Sequence, residues 1–252
     1  LARLAEFDAA LQAASGATAS APRITRQRGP AASGYALQGV QALGPGGRPL
    51  TPVVNWRIAP GERWMLRGPS GAGKSTLLRA LAGLWTHGHG HIATPPGTAE
   101  APGTAETPKT ATAPGAAAAP RAETLFVPQQ SYLPAGTLRA CLAYPALETA
   151  FSDDDCQAAL RWACLPALTH RLHESAHWAR QLSPGEQQRL AFARIWLHRP
   201  RWLFLDEATS ALDEETEERL YARLTRDLPG LTLVSIAHRS SLRRFHEHEM
   251  QL

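Results

Sequence analysis

The sequence predicts an α/β protein built on a parallel sheet. Residues 63–67 have the composition of a short buried strand, and residues 77–84 behind them favour a helix. Residues 201–205 and 231–236 are two further strands, apolar enough to lie inside a parallel sheet, and a charged helix is predicted between them over 214–227. Strands that alternate with helices in this way are typical of a parallel α/β sheet.

A phosphate-binding loop is predicted between the first of these strands and its helix. Residues 68–76 fit the pattern G-x-x-x-x-G-K-[ST] at every fixed position. Glycines let backbone N–H groups curl around a phosphate chain, and the helix N-terminus adds partial positive charge. We expect Lys74 to neutralise the β- and γ-phosphates and the Ser75 hydroxyl to ligate Mg²⁺. The nucleotide-binding candidates are therefore Gly68, Pro69, Ser70, Gly71, Ala72, Gly73, Lys74, Ser75 and Thr76.

Two acids follow the apolar strand 201–205. Asp206 and Glu207 stand at its carboxyl end, which is where open α/β sheets bind their ligands. An apolar strand that ends in Asp is typical of a carboxylate that holds Mg²⁺ opposite a phosphate loop. The adjacent Glu207 can polarise water for attack on the γ-phosphate. The alternative is that both acids only cap the next helix.

Residues 182–190 predict a second anion site. Ser183 can cap a helix, Pro184 suits its first position, and Glu186 falls three residues after the cap. The free N–H groups of such a helix end attract anions. Considered alone, the stretch is equally an ordinary capped helix. The phosphate loop already serves one nucleotide, so a second site makes sense if it faces a nucleotide held by another copy of the chain.

Composition narrows the class of protein. The formal net charge is +4, but only two of the 26 basic residues are lysines, and the arginines are scattered along the chain. That distribution disfavours a nucleic-acid groove. The odd number of cysteines and their spacing fit reduced thiols of a cytosolic protein. No apolar run reaches the length of a membrane-spanning helix, roughly 20 residues.

The remaining segments suggest how the chain is organised. Leu1, Leu4, Phe7 and Leu11 recur at helical spacing and predict an amphipathic helix that packs on this domain or continues from a missing upstream one; residues 15–33 read as a linker. Residues 93–122 predict a disordered surface insert, because they are nearly all Ala, Pro, Thr, Gly and Glu. Other predicted strands are 35–43, 53–58 and 125–127, and residues 131–182 read as mostly helical.

Three alternating histidines, His87, His89 and His91, admit two interpretations. On a strand they would share one face and could bind a metal ion. The intervening glycines and the lack of a matching distant ligand favour a solvent-exposed turn instead.

Together these motifs resemble those of the ATP-binding cassette (ABC) ATPases, in the order in which that family has them. Gln129 matches the family's glutamine loop, and His238 matches its switch histidine. The family's signature, usually L-S-G-G-Q, is matched by residues 182–186, and residues 210–213 match the loop that crosses the family's dimer interface. The resemblance covers residues 35–252.

The resemblance implies a RecA-like P-loop NTPase core with a small antiparallel β subdomain and an inserted α-helical subdomain over 131–182. In the family, two such domains enclose two ATP molecules head to tail. The residues that this arrangement implies for catalysis are Glu207, His238 and Lys74, and the implied Mg²⁺ ligands are Ser75, Gln129 and Asp206, with Gln129 also near the nucleotide. The residues implied to act across the dimer are Ser183, Pro184, Gly185 and Glu186 of the signature and Asp213 of the dimer loop.

A finer resemblance is to the branch of this family (subfamily D) that contains peroxisomal acyl transporters and bacterial half-transporters with a fused permease. It is carried by residues 56–58, 61–64, 132–139 and the run SPGEQQRLAFAR. It implies an ATPase domain over 34–252, a connection over 1–33 from a membrane permease domain, a second copy as partner, and a place on the cytoplasmic face of a bacterial inner membrane. The expected function is ATP hydrolysis that drives transport, without nucleic acid.

Two other functions are weighed against transport. The first is a soluble ABC-type ATPase that remodels ribosomes or DNA, but the chain has neither a second cassette nor a long coiled-coil insertion. The second is a regulatory nucleotide-binding module without turnover, which the presence of Glu207 and His238 disfavours.

Two departures from the family pattern stand out. The aromatic residue that many relatives stack on adenine would fall near Gly44-Pro45, where the chain has no ring, and Tyr35 is the candidate substitute. The insert 93–122 is also longer than the family's usual connection.

Overall fold

The computed structural model describes residues 22–29, 34–95 and 123–252. The strands are β1 (Thr25–Arg28), β2 (Tyr35–Ala42), β3 (Val54–Ile58), β4 (Arg63–Arg67), β5 (Gly88–Thr94), β6 (Thr124–Val127), β7 (Gly136–Thr137), β8 (Ser175–Ala176), β9 (Trp202–Asp206), β10 (Thr232–Ile236) and β11 (His248–Gln251). The helices are α1 (Lys74–Ala82), α2 (Leu138–Ala143), α3 (Asp153–Trp162), α4 (Trp178–Gln181), α5 (Pro184–His198) and α6 (Glu214–Asp227).

A parallel sheet forms the centre of the protein, in the order β11-β4-β10-β9-β6. Every residue of β9 and β10 is buried, which confirms that these apolar runs are interior strands. Ile236 is in register with both Leu66 and Asp206. The three strands therefore end side by side, and the segments that follow them share one edge of the sheet.

The second sheet has the order β1-β5-β2-β3 and packs over α1. Strand β2 is antiparallel to both β3 and β5, as the expected antiparallel subdomain requires, and β1 is parallel to β5. Leu77, Leu78 and Leu81 of α1 lie in one apolar core with residues from both sheets, such as Ile58 and Phe204. This packing fixes α1, and with it the loop before α1, against the parallel sheet.

A helical region lies on the other face of the parallel sheet. Helices α2, α3 and α4 are short, and β7 and β8 pair between them, so the expected helical subdomain is present but less continuously helical than predicted. Ser152 and Asp155 form the capping box predicted at the start of α3. These helices and α5 bury their apolar faces in one core with Leu203 and Leu205 of β9. No helix in the described ranges is long and apolar enough to cross a bilayer.

The structure corrects three sequence-based predictions. Residues 25–28, predicted as linker, form β1, because β5 offers its free edge to them. The segment 87–91, predicted as a turn, is mostly part of β5, which begins at Gly88. His89 and His91 are exposed on this strand. Among the described residues, no three His, Cys, Asp or Glu side chains are grouped so that they could hold a metal ion. The insert begins later than predicted, since Ala93 and Thr94 are in β5.

Several other predictions fall on residues outside the described ranges. These are the opening helix, part of the 15–33 linker and the insert from residue 96 to 122. The two-residue strands β7 and β8 were not predicted, and neither was β11, which extends the parallel sheet beside β4.

Candidate functional site

The phosphate loop connects β4 to α1, as the motif predicts. Gly68, Gly71 and Gly73 have φ values of +146°, +81° and +87°, which favour glycine. A Cβ on Gly73 would lie 2.1 Å from the carbonyl oxygen of Leu50, so the chain before β3 supports the loop from behind. The first turn of α1 then leaves backbone N–H groups without helical partners at the loop, which is the geometry of an anion site.

Lys74 lies inside this loop. Its Nζ donates hydrogen bonds to the carbonyl oxygens of Gly68 and Pro69, both at 2.9 Å, and the side chain is buried. A cavity of about 240 Å³ opens beside it, lined by Arg67, Gly68, Lys74, Ala237, His238 and Gln251. The ammonium is therefore placed at the wall of a polar cavity, where it can exchange loop carbonyls for phosphate oxygens.

Asp206 and Ser75 meet at the end of β9. The Ser75 hydroxyl donates to Asp206 Oδ1 at 2.6 Å, and Arg79 Nη2 lies 3.7 Å from Oδ2. Burial raises the pKa of Asp206, while the Ser75 hydrogen bond and the Arg79 guanidinium oppose the rise. A buried carboxylate beside a hydroxyl offers the hard oxygen donors that Mg²⁺ prefers, and a bound cation would offset the cost of burying the charge. These two residues therefore fit the predicted metal site.

The side chain of Glu207 contacts residues of two other loops, those of Gln129 and His238. Its backbone has φ +50°, an uncommon conformation for a residue other than glycine, and its N–H donates to the Ile236 carbonyl at 3.2 Å. Its Oε1 lies 2.8 Å from His238 Nε2, and its Oε2 accepts from Gln129 Nε2 at 3.3 Å. The structure thus joins Glu207, His238 and Gln129 in one hydrogen-bonded group. Gln129 contacts Glu207 and not Asp206, so the described contacts place it beside the acid, one residue away from the metal pair.

The signature residues form a capped helix end, away from the phosphate cavity. Ser183 Oγ accepts from the Glu186 N–H at 3.3 Å, and the Glu186 carboxylate accepts from the Ser183 N–H at 2.9 Å. The Ser183 hydroxyl also donates to the Glu186 carboxylate at 2.7 Å, and this bond, together with the one from the Ser183 N–H, holds the pKa of Glu186 below its usual value. Ser183 and Pro184 are exposed, and none of residues 183–186 is among the cavity-lining residues. Within one copy, therefore, this helix end and the phosphate loop are separate.

The dimer loop is held by a residue that the sequence analysis did not single out. Gln188 of α5 is buried, donates to Ser210 Oγ at 3.1 Å and accepts from the Ala211 N–H at 2.9 Å. It also donates to the Gln129 carbonyl at 3.4 Å. Asp213 ends this loop as the exposed N-cap of α6 and accepts from the Thr216 N–H at 2.8 Å. An uncharged polar residue on the inner face of a predicted helix was the available signal for Gln188.

The structure excludes Tyr35 as a base-stacking residue. Its side chain is buried in the core, where its ring makes edge contacts with Trp202 at 4.9 Å and Phe204 at 5.4 Å between centroids. A ring buried in this way has no free face for adenine, so the suggestion that Tyr35 substitutes for the missing aromatic residue is wrong. Near the expected position, Gly44 and Pro45 lie in a turn that carries no aromatic side chain.

Comparisons with known proteins agree with this geometry. The family model described as "ABC transporter" matches residues 52–210, more than half of the chain. An uncharacterised ABC transporter ATP-binding protein of Synechocystis is 40% identical over 208 residues, covering 81% of this chain and 28% of that protein. The human lysosomal cobalamin transporter ABCD4 is 34% identical over 240 residues, covering 88% of this chain and 35% of that protein.

A solved structure shows the same similarity at the level of the fold. A bacterial Atm1-family ABC exporter with ATP bound superposes with a TM-score of 0.70 at 27% identity, covering 92% of this chain and 38% of the exporter chain. The chain thus spans about a third of the length of the proteins that it matches.

Proposed function

Because this chain belongs to the ABC transporter family, we propose that it binds Mg²⁺ and ATP, hydrolyses the ATP and thereby drives transport across a membrane. The observation that carries the proposal is that two hydrogen-bonded pairs of side chains lie next to each other at one edge of the parallel sheet. Ser75 and Asp206 are 2.6 Å apart, and Glu207 and His238 are 2.8 Å apart, on adjacent residues of one strand end. The first pair suits a metal ion and the second suits activation of water.

The phosphate loop supplies most of the binding. Backbone N–H groups of the non-proline residues of the loop 68–76 and the Lys74 ammonium would hold the phosphate chain, and Ser75 and Asp206 would ligate Mg²⁺. When bound, Mg²⁺ neutralises charge that develops on the phosphate oxygens. We assign Gln129 to the contact between the nucleotide and Glu207, since its amide already touches that carboxylate.

Glu207 is the proposed general base. Its carboxylate is half-buried, is bonded to His238, which lines the cavity, and can take a proton from water that attacks the γ-phosphate. His238 fixes the orientation of that carboxylate by the hydrogen bond to Oε1. Asp206 is not available for this role because it is buried against Ser75 and Arg79.

The proposed active unit is a pair of copies. Ser183 and Pro184 are exposed at this helix end, Gly185 and Glu186 are partly exposed there, and none of the four lines the phosphate cavity; Asp213 lies exposed on the neighbouring loop. We infer that this surface completes the nucleotide site of the partner copy.

The chain spans about a third of the length of its relatives. We further propose that a permease domain is joined ahead of residues 1–33 and that the ATPase domain lies on the cytoplasmic face of a bacterial inner membrane. The transporter and the exporter among these relatives favour transport over a soluble remodelling ATPase.

The direct test is phosphate release from ATP by the purified chain with Mg²⁺ and with EDTA. We expect Mg²⁺-dependent hydrolysis that Lys74→Ala abolishes, because the outer phosphates lose their positive partner. Lys109→Ala is a matched control, since it removes the only other lysine of the chain. Hydrolysis that survives Lys74→Ala, or that is lost equally in Lys109→Ala, would contradict the assignment.

A further inference from the structure

A buried carboxylate on α6 connects the two loops that carry Glu207 and His238. Glu217 lies in the first turn of α6 and is only 3% exposed. Its Oε1 accepts a hydrogen bond from the Thr209 hydroxyl, and its Oε2 accepts one from Arg239 Nη1 at 2.9 Å. A buried carboxylate needs such partners to offset its lost hydration. Here one partner lies two residues after Glu207 and the other directly follows His238.

The guanidinium of Arg239 makes a second contact, with the dimer loop. Its Nη2 donates to the Leu212 carbonyl at 2.8 Å, immediately before Asp213. A guanidinium presents several donors in a rigid plane, so a single side chain can hold two acceptors in a fixed relative position. Arg239 thus holds the start of α6 and the end of the dimer loop together.

These contacts give the two loops a second connection. The first is the hydrogen bond between His238 and Glu207 at 2.8 Å. The second runs from Arg239 through Glu217 to Thr209, and none of these three residues lines the cavity. Two connections fix a relative position where one would leave a hinge. The Glu207 backbone, with its φ of +50°, is also a conformation that persists only where the surroundings enforce it.

We propose that Glu217 and Arg239 form a clamp that positions Glu207 relative to His238 and holds the dimer loop at Leu212. Both are positioning residues, because they act on the two loops through Thr209, each other and the Leu212 carbonyl. The inference builds on the proposed function, since it gives those two residues a part in hydrolysis. A neighbouring pair provides the comparison: Arg244 and Glu218 are 2.6 Å apart, but the Arg244 side chain is 60% exposed and this ion pair connects neither of the two loops.

The test compares Arg239→Lys and Arg239→Gln with the matched control Arg244→Gln. Lysine keeps the charge beside Glu217 but cannot hold two acceptors in the plane of a guanidinium. We expect kcat for ATP hydrolysis to fall about 10- to 100-fold in both Arg239 variants, because small displacements of catalytic groups are costly. KM for ATP should stay near the unmodified value, since the phosphate loop is untouched. Thr209→Val, which removes one hydroxyl donor at nearly constant volume, should lower kcat in the same direction.

Hydrogen exchange provides a readout that does not depend on hydrolysis. Exchange of backbone amides over 207–213 should be faster in Arg239→Lys than in the unmodified chain or in Arg244→Gln. An unchanged kcat together with unchanged exchange would overturn the clamp, and so would a rise in KM with kcat preserved. If the unmodified chain itself releases no phosphate, the proposed function fails, and the exchange rates still decide the clamp: faster exchange supports it and equal exchange refutes it.

Discussion

The sharpest prediction concerns Glu207→Gln. The replacement has the same shape, and its amide can keep one of the two contacts that the carboxylate makes, at 2.8 Å with His238 and at 3.3 Å with Gln129. Lys74, Ser75 and Asp206 are untouched. We therefore expect the variant to fold and to bind ATP with Mg²⁺ as the unmodified chain does, while the group that accepts the proton is gone.

The expected loss of rate follows from the surroundings of that carboxylate. A positioned general base contributes about 10²- to 10⁴-fold to a rate. At 1.36 kcal/mol for each factor of ten, this corresponds to about 2.7 to 5.4 kcal/mol of activation free energy. The upper part of that range applies here, because the only other acid at this strand end, Asp206, is buried and already bonded to Ser75.

The assay measures phosphate release at saturating ATP with Mg²⁺, and nucleotide affinity separately by calorimetry. Glu215→Gln is the matched control: it makes the same chemical change on α6, where the Glu215 side chain is 82% exposed. Hydrolysis by Glu207→Gln at a rate close to that of Glu215→Gln would refute the assignment of Glu207 as the base. A large loss of ATP affinity would show instead that Glu207 acts in binding.

Four further outcomes are expected. In two tethered cassettes that both carry Glu207→Gln, Lys74→Ala in one copy with Ser183→Arg in the other should trap more ATP per dimer than both changes in one copy, because only the split arrangement leaves one unmodified shared site. Tyr35→Phe should leave the ratio of ATP to GTP affinity unchanged, and Tyr35→Ala should lower the free energy of unfolding in urea by about 3–5 kcal/mol, because the ring fills the core between the sheets. Ser152→Ala should lower that free energy by about 1 kcal/mol through loss of the α3 cap. Deleting residues 97–120 should change the melting temperature little by calorimetry, since their composition offers few core residues and loop entropy varies slowly with length.

Sequence reasoning worked best where structure is determined locally. The capping boxes at Ser152 and Ser183, and the helix over 214–227, depend on residues within one or two turns of each other, and all three are present. The phosphate loop is equally local, since its glycines and its lysine are adjacent in the chain.

The strands that were missed depend on distant partners. Strand β1 has the sequence Thr-Arg-Gln-Arg and β11 has His-Glu-Met-Gln, and neither alternates clearly between apolar and polar residues. Each lies at the edge of its sheet, where one neighbouring strand supplies the backbone hydrogen bonds and solvent covers much of the side-chain surface. The amino-acid pattern of such an edge strand therefore gives little indication that it is a strand. The burial of Tyr35 has the same cause, because its neighbours Trp202 and Phe204 come from a strand far along the chain.

The same distinction applies to the site. Lys74, Asp206 and His238 could each be predicted separately from a local motif. Lys74 opens a helix, and Asp206 and His238 come at the ends of apolar strands. Three further residues, Gln188, Glu217 and Arg239, hold the loops around the site. They lie on different elements, and each meets its hydrogen-bond partners only in the folded chain. Polar side chains on helices and loops are usually solvated, so the sequence alone does not distinguish Glu217 and Arg239, and the only signal for Gln188 is its place on the inner face of a predicted helix.

Within one copy, the charged groups of the site already have internal partners. The Lys74 ammonium is bonded to two loop carbonyls, and Glu207 is bonded to His238 and Gln129. The end of α5 differs, because Ser183 and Pro184 face solvent and the helix dipole there attracts negative charge. Two copies would bring this positive helix end towards another positive site, the phosphate loop with Lys74. Like partial charges do not attract, so in the proposed pair the polyphosphate of ATP would be the group that makes the approach favourable, and nucleotide binding would be thermodynamically coupled to pairing.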